Sequence, residues 1–394
     1  MPLRIVVDVR RVRDFGIGTY IRSLLHALAA LDQFDDYTLI TLPEDVRTFS
    51  GLAPNFKTTI YPKTDSYYLN HVAFPVFLRR LAPDLVHIPL NQVPLFMLEP
   101  YVVTIHDMAN LLFETGPGLR MDVRRFLLRR GLLRAQRIMA VSEATRRDVR
   151  DGLGIPEDRI RLVYNAPDPE FFRPAPPSGA QAAGPQRDEL ERARILERYQ
   201  IHYPFLLYAG NIRPQKNIPR LVEAFAVVRE ELSRHPLYRD LHLIIIGDEI
   251  SRYPSVRRAV IQTRVEKAVR FLGFVPFDTL RIFYESAALF VFPSLYEGFG
   301  LPPLEAMASG TPVVASNVSS LPEVVGDAAL LVNPENVFDI ARGIKEVLLD
   351  EDMRCRLIAK GKAQAARYSW ERTAREVLEV YREVGEAAGS PSPR

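Results

Sequence analysis

The chain contains a single cysteine, Cys355, in 394 residues, which excludes an internal disulfide and any zinc site built on several thiolates. It also lacks any run approaching the ~18 apolar residues of a membrane-spanning helix. Its apolar start, Ile5-Val6-Val7, is too short for a secretory leader and passes directly into a strand pattern. Charge of one sign is missing too: 51 Lys and Arg against 48 Asp and Glu leave +3, with the signs interspersed. That balance gives no general attraction to nucleic acid. A cytoplasmic protein is expected, resting at most on a membrane surface. The 47% hydrophobic content is enough for packed cores, and the length suggests two or three domains at ~150 residues each.

Short apolar runs alternate with stretches of helical period. The first half offers Ile5–Val7, Thr38–Ile40, Leu85–Ile88, Tyr101–Ile105 and Ile138–Val141. The second offers Phe205–Ala209, Leu241–Ile246, Val269–Leu272, Leu289–Phe292, Pro312–Ala315 and Ala329–Val332. Between them lie patterns such as Ile218, Leu221, Val222, Phe225 and Val228. Alternation of this kind reads as βαβ units, and the number of runs exceeds one ordinary sheet. Two Rossmann-like α/β domains are therefore expected, over residues 1–172 and 199–368. Residues 173–198 read as a Pro/Gly/Ala-rich linker followed by a short charged helix, 369–388 as a final helix with Ser369 at its cap, and 389–394 as a disordered tail.

The most informative segment runs from Glu297 to Glu305. Two carboxylates, with seven residues between them, flank the turn Gly298-Phe299-Gly300-Leu301-Pro302, after the apolar run Leu289–Phe292 and before a helical pattern. Glycines allow a sharp bend and close approach of backbone N–H groups, and a helix start adds partial positive charge, so an anion such as phosphate suits the turn. Carboxylate oxygens accept paired hydroxyls. A phosphate-bearing, polyhydroxylated ligand meets both demands.

With its spacing and the wording Glu-Gly-Phe-Gly-Leu-Pro, this segment resembles the retaining glycosyltransferases of family four. The resemblance implies the GT-B fold, two Rossmann-like β/α/β domains facing a central cleft, the last helix crossing back to the first domain. It implies that Glu297 holds hydroxyls of a donor sugar, that Glu305 holds the nucleotide ribose, and that N–H groups from Gly298 to Leu301 lie near the diphosphate. The base would be held by backbone near Gly273-Phe274-Val275.

Other loops fit the same picture. Gly210-Asn211-Ile212-Arg213-Pro214-Gln215-Lys216 follows a strand and places two cations where doubly wound sheets bind anions. The resemblance carries Lys216 onto the family's phosphate lysine; Arg213 departs from the family's usual arginine positions. Gly16-Ile17-Gly18-Thr19-Tyr20 opens a helix in the first domain and matches the family's first loop. His106 ends the strand Tyr101–Ile105, where the family places a histidine beside the transferred sugar, and its implied task is positioning by a hydrogen bond. Ser142-Glu143 and Tyr164-Asn165-Ala166 also match family wording, though such residues equally cap helices and turns.

The implied reaction moves a sugar from a nucleotide-diphosphate sugar to a saccharide or polyprenyl-diphosphate-linked acceptor, with retention and with neither metal nor cofactor. A sugar-nucleotide epimerase or hydrolase of the same architecture, and a non-catalytic nucleotide-sugar-binding protein, are the alternatives. Residues 120–137 interleave seven arginines with apolar side chains, spread around the helix rather than forming one stripe. They leave open a peripheral contact with the inner face of a membrane.

Overall fold

The computed structural model describes residues 2–64, 69–113, 119–172, 185–247 and 253–389. The chain divides into two compact units, one formed by Met1–Ala166 with Ser369–Arg394, the other by Pro167–Tyr368.

The first unit is built on a seven-stranded sheet: β1 (Arg4–Asp8), β2 (Asp36–Thr41), β3 (Phe56–Ile60), β4 (Leu85–Ile88), β5 (Tyr101–Ile105), β6 (Arg137–Ala140) and β7 (Ile160–Leu162), in the order β3-β2-β1-β4-β5-β6-β7. All neighbours are parallel. The second unit holds six parallel strands, β8 (Phe205–Ala209), β9 (His242–Ile246), β10 (Val269–Gly273), β11 (Leu289–Phe292), β12 (Val313–Ser316) and β13 (Leu330–Val332), ordered β10-β9-β8-β11-β12-β13. Their central members read as unbroken Val/Ile/Leu/Phe because helices cover both faces of a parallel sheet. Two strands, β3 and β7, escape the sequence reading. Both are edges of the first sheet and only partly buried, so they have no continuous apolar run.

Among the helices are α1 (Ile17–Leu31), α2 (Leu119–Arg134), α3 (Ile218–Glu231), α4 (Leu301–Ala308) and α5 (Trp370–Gly389). Helix α5 belongs to the first unit, where it packs on α1, and Gly385 lets it approach Leu3: a Cβ there would stand 2.7 Å from Leu3 Cδ1. The boundary expected at residue 172 lies earlier. Pro167–Phe172 group with the second unit, because the buried Phe171 ring packs on Phe277 at 4.8 Å and on Tyr284 at 5.6 Å. Of the expected linker, residues 173–184 lie outside the described residues, and Pro185–Arg198 is helical. Residues 390–394 of the tail also lie outside them.

Each sheet reverses its order once, between β1 and β4 in the first and between β8 and β11 in the second. Loops leaving the carboxyl ends of such a strand pair diverge to opposite sides and leave a crevice, the usual ligand position in open α/β sheets.

Candidate functional site

In the second unit the two loops at the reversal are the two singled out by sequence, and they are laced together. Gly210 (φ 147°) follows the end of β8. A Cβ on Gly247, after β9, would come within 1.9 Å of the Gly210 carbonyl, so both backbones need their glycines. The loop then closes in the short turn Pro214–Lys216 and the left-handed Asn217 (φ 60°), whose buried Nδ2 donates to the Pro293 carbonyl at 3.0 Å and the Pro334 carbonyl at 2.7 Å. Leu295 N–H donates to the Gln215 carbonyl at 2.7 Å. The loop that starts α3 and the loop that follows β11 thus share a frame.

That frame brings Lys216 to Glu297. The ammonium donates to Oε1 at 2.6 Å and to Oε2 at 2.7 Å, and also lies 5.4 Å from the Phe292 ring centre. Glu297 is buried and its backbone is pinned by two serines: Ser319 Oγ donates to its carbonyl at 2.6 Å, and Ser320 Oγ donates to the same carbonyl at 3.0 Å and to that of Phe299 at 2.8 Å. Arg213, in contrast, is exposed, and its guanidinium has no hydrogen-bond or ion-pair partner among the described residues.

Gly300 (φ 106°) starts α4, with no room for a Cβ beside Leu321 Cδ2 at 2.7 Å. Pro302 and Pro303 follow Leu301 and carry no N–H. The N–H groups of Gly300 and Leu301 have no hydrogen-bond partner among the described residues and form the helix's anion-seeking end. Phe299 turns inward, its ring edge-on to Tyr368 at 5.6 Å. Glu305 sits further along α4 and accepts a hydrogen bond from Tyr284 Oη at 2.9 Å. Desolvation pushes its carboxyl up to about 7 against the opposing effect of that bond, with Asp168 adding like charge.

The first unit presents a second group. Gly16 (φ 66°) caps α1, and a Cβ on Gly18 would strike the Val12 carbonyl oxygen at 2.2 Å, so this turn needs both glycines. His106 stands just past β5, buried, its backbone N–H donating to Asn91 Oδ1 at 3.1 Å and its Nε2 lying 3.2 Å from the Pro89 carbonyl. A carbonyl only accepts, so Nε2 carries the proton and Nδ1 is the acceptor. Burial pushes the imidazolium down to about 4, leaving the ring neutral. His106 can therefore receive a hydroxyl proton in a hydrogen bond.

Several sequence matches have structural roles. Ser142 Oγ accepts from Thr145 N–H at 3.0 Å as the cap of the helix Glu143–Leu153, and the Tyr164 carbonyl accepts from Thr373 Oγ1 at 2.6 Å. Asn165 is buried with Oδ1 unpartnered among the described residues. Arginines of α2 brace neighbouring backbone, Arg129 Nε donating to the Leu153 carbonyl at 2.8 Å and Arg134 Nη1 to the Leu95 carbonyl at 3.1 Å, while Val123 and Phe126 are exposed. The one Asp-x-Asp spacing in the chain, Asp350-Glu351-Asp352, is absent from the sequence reading. It starts the helix Glu351–Ala365, with Asp350 accepting from Met353 N–H at 2.8 Å.

Sequence spacing could not reveal Gly247, Ser319 or Ser320. Their contribution is contact with backbone from other loops.

Two family models match the chain, "Glycosyltransferase Family 4" over residues 16–171 and "Glycosyl transferases group 1" over 193–364. An O-antigen chain mannosyltransferase B of Escherichia coli is 32% identical over 93% of this chain and 96% of that protein. Among solved structures, a sucrose-phosphate synthase from Thermosynechococcus elongatus superposes with a TM-score of 0.76 at 20% identity, covering 98% of this chain and 100% of the other. HepE of Anabaena, solved with UDP-glucose, gives 0.75 at 15% identity, covering 97% and 100%. At those identities the structural likeness speaks for the fold, a GT-B pair of parallel-sheet domains.

Proposed function

The chain belongs to the glycosyltransferases of family four, and from that premise we propose that it moves a hexosyl group, mannose first among them, from a nucleotide-diphosphate sugar to a saccharide or lipid-linked saccharide acceptor, with retention and without a metal ion. The observation that carries this reading is the meeting of Lys216 with Glu297 beside the start of α4: a cation, a hydroxyl-binding carboxylate and unpartnered N–H groups on one crevice of one sheet. Mannose is supported by the name of the E. coli relative of like length.

Breaking a glycosyl phosphate bond leaves negative charge on the departing diphosphate, and donors already aimed at that charge lower the barrier most. Lys216, the exposed Arg213 and the amides from Gly298 to Leu301 are proposed to answer it. Glu297 takes hydroxyls of the donor sugar and Glu305 those of the ribose. His106 is proposed to accept a sugar hydroxyl at Nδ1, and Gly16 and Gly18 to shape a loop of the first unit that binds donor phosphate. With retention, the acceptor hydroxyl attacks the face that the diphosphate leaves.

Thermal-shift screening of UDP-, GDP- and ADP-sugars, followed by mass analysis of products with saccharide and lipid-linked acceptors, tests the assignment. A nucleotide sugar that binds and gains an acceptor-dependent product supports it, and activity should survive EDTA. Release of free sugar or an isomer without any acceptor would point instead to a hydrolase or epimerase, and binding without turnover to a non-catalytic subunit. Peripheral attachment is proposed through the exposed Phe126 and Val123 among the arginines of α2. Flotation with anionic and neutral liposomes decides it, and absence of binding at low salt removes it.

A further inference from the structure

Four buried side chains from four elements of the first unit form one hydrogen-bonded line. Tyr381 Oη on α5 lies 2.6 Å from His87 Nδ1, His87 Nε2 lies 2.8 Å from Thr104 Oγ1, and Thr104 Oγ1 lies 3.0 Å from Tyr20 Oη on α1. None of the four exceeds 1% exposure. His87 belongs to β4, the middle strand of the sheet, where Leu85, Val86 and Ile88 are apolar. An imidazole is costly in such a place unless both nitrogens are bonded. Here both are, by hydroxyls brought from the next strand and from the helix that re-enters this unit.

The line ends against His106. The Tyr20 ring meets the His106 ring edge-on, with centres 4.7 Å apart and planes at 76°, while Trp370 closes on Tyr20 from another side at 5.9 Å and 67°. The imidazole's own hydrogen bond is the 3.2 Å contact of Nε2 with the Pro89 carbonyl, long for such a bond. One polar contact fixes a single ring nitrogen, and the Tyr20 ring packed against the imidazole limits its turning about the last torsion. The bond of the Tyr20 hydroxyl with Thr104 Oγ1 sets where that ring stands.

We propose that Tyr20 is a positioning residue for His106, anchored from behind by Thr104, His87 and Tyr381, and that it keeps Nε2 on the Pro89 carbonyl so that Nδ1 is the face offered to a sugar hydroxyl. This rests on the reading of His106 as the group that hydrogen-bonds the transferred sugar. Tyr20 lies in the first turns of the helix opened by Gly16 and Gly18, so the glycine loop and His106 are held by one anchor.

The decisive measurement needs no substrate. The full chain labelled with 15N-histidine is examined by long-range 1H–15N correlation at neutral pH, with the His106 signals assigned by their loss in His106→Gln. Wild type should give a single Nε2–H tautomer for His106. Tyr20→Phe, which removes one oxygen, and Thr104→Val should each give mixed tautomers, while Thr104→Ser should restore the wild-type pattern. With GDP-mannose as donor probe, the first two variants should lower kcat about tenfold with little change in KM, as misplacement of a reacting group does. Neither should add to the loss already present in His106→Ala.

An unaltered His106 signal in Tyr20→Phe overturns the proposal, as does an equal kinetic loss with and without His106. Should Thr104→Val fail to fold, Tyr20→Phe decides alone. Altered tautomers together with a His106→Ala variant that transfers sugar normally would support the positioning and remove the proposed role of His106, so the two failures are distinguishable.

Discussion

The ammonium of Lys216 bridges both carboxylate oxygens of Glu297, at 2.6 and 2.7 Å, although the two residues lie on different loops of the second sheet. With side-chain exposures of 15% and 9%, neither charge is well hydrated, and each is the other's nearest counter-charge. On the proposed reading, a donor diphosphate competes with Glu297 for the same ammonium.

Removing each partner is therefore expected to separate transfer from nucleoside diphosphate binding. Lys216→Ala strands a poorly hydrated carboxylate, costing about 3 kcal/mol of stability, and lowers kcat/KM by roughly 10²- to 10³-fold. Glu297→Ala abolishes transfer yet binds nucleoside diphosphate as tightly as wild type or more so, because Nζ is no longer shared. Calorimetric titration with GDP and UDP beside steady-state rates checks the split; unchanged transfer in Glu297→Ala would refute the role given to it.

Glu305 predicts a pH signature. Its carboxyl is raised to about 7, so the folded protein keeps a proton that the unfolded chain gives up from pH 4.5 upward, and this group's contribution to stability declines as pH rises from 4.5 to 7. Glu305→Gln removes that decline and is more stable than wild type above pH 7 by about 1–3 kcal/mol. A ribose diol favours the charged carboxylate, so nucleotide binding at pH 6 should release a proton. Identical binding enthalpies in buffers of different ionisation heat would exclude the release.

Burial of His106 works in the other direction. Its imidazolium is depressed to about 4, and that of His87 to about 3 through desolvation, so the unfolded chain binds protons that the folded one refuses. Their contribution to stability is present above pH 6.5 and is lost as pH falls towards 4. Transfer should show no inflection from His106 between pH 6 and 8, and His106→Ala should lower kcat by roughly 10². A pH–rate profile with a histidine-like inflection near 6.5 that vanishes in this variant would contradict the neutral ring.

Glycine substitutions should separate by local space. Gly18→Ala drives a Cβ into the Val12 carbonyl and should destabilise the first unit by about 2 kcal/mol or more. Gly300→Ala strains a left-handed residue against Leu321 at the start of α4, and should raise KM for the donor. Gly152, helical with nothing within 4 Å of its Cβ position, is the control: Gly152→Ala should gain about 0.5–1 kcal/mol. Thermal unfolding of the three variants, with donor titration for Gly300→Ala, reads each outcome.

Much of this was legible in the chain because buried parallel strands and glycine turns write themselves locally. Leu289–Phe292, a short unbroken apolar run before Pro293, reads as a covered strand, and Glu297 to Glu305 combines turn, helix start and carboxylates in nine consecutive residues. The edge strands β3 and β7 were hidden because half-buried strands need no apolar run. The grip of Ser319 and Ser320 on Glu297, and the bond from His87 to Tyr381, were hidden for another reason. Both join residues distant in sequence through groups that any soluble segment contains, and only the strand order brings them together.

The first unit is sewn from two segments far apart in the chain, since Ser369–Arg394 groups with Met1–Ala166. During synthesis its sheet emerges early, yet His87 Nδ1 waits for Tyr381, nearly three hundred positions downstream. That sheet is thus completed only after the second unit has been made, and a product truncated within the second unit has a central histidine with no partner on one side and an α1 without its packing helix.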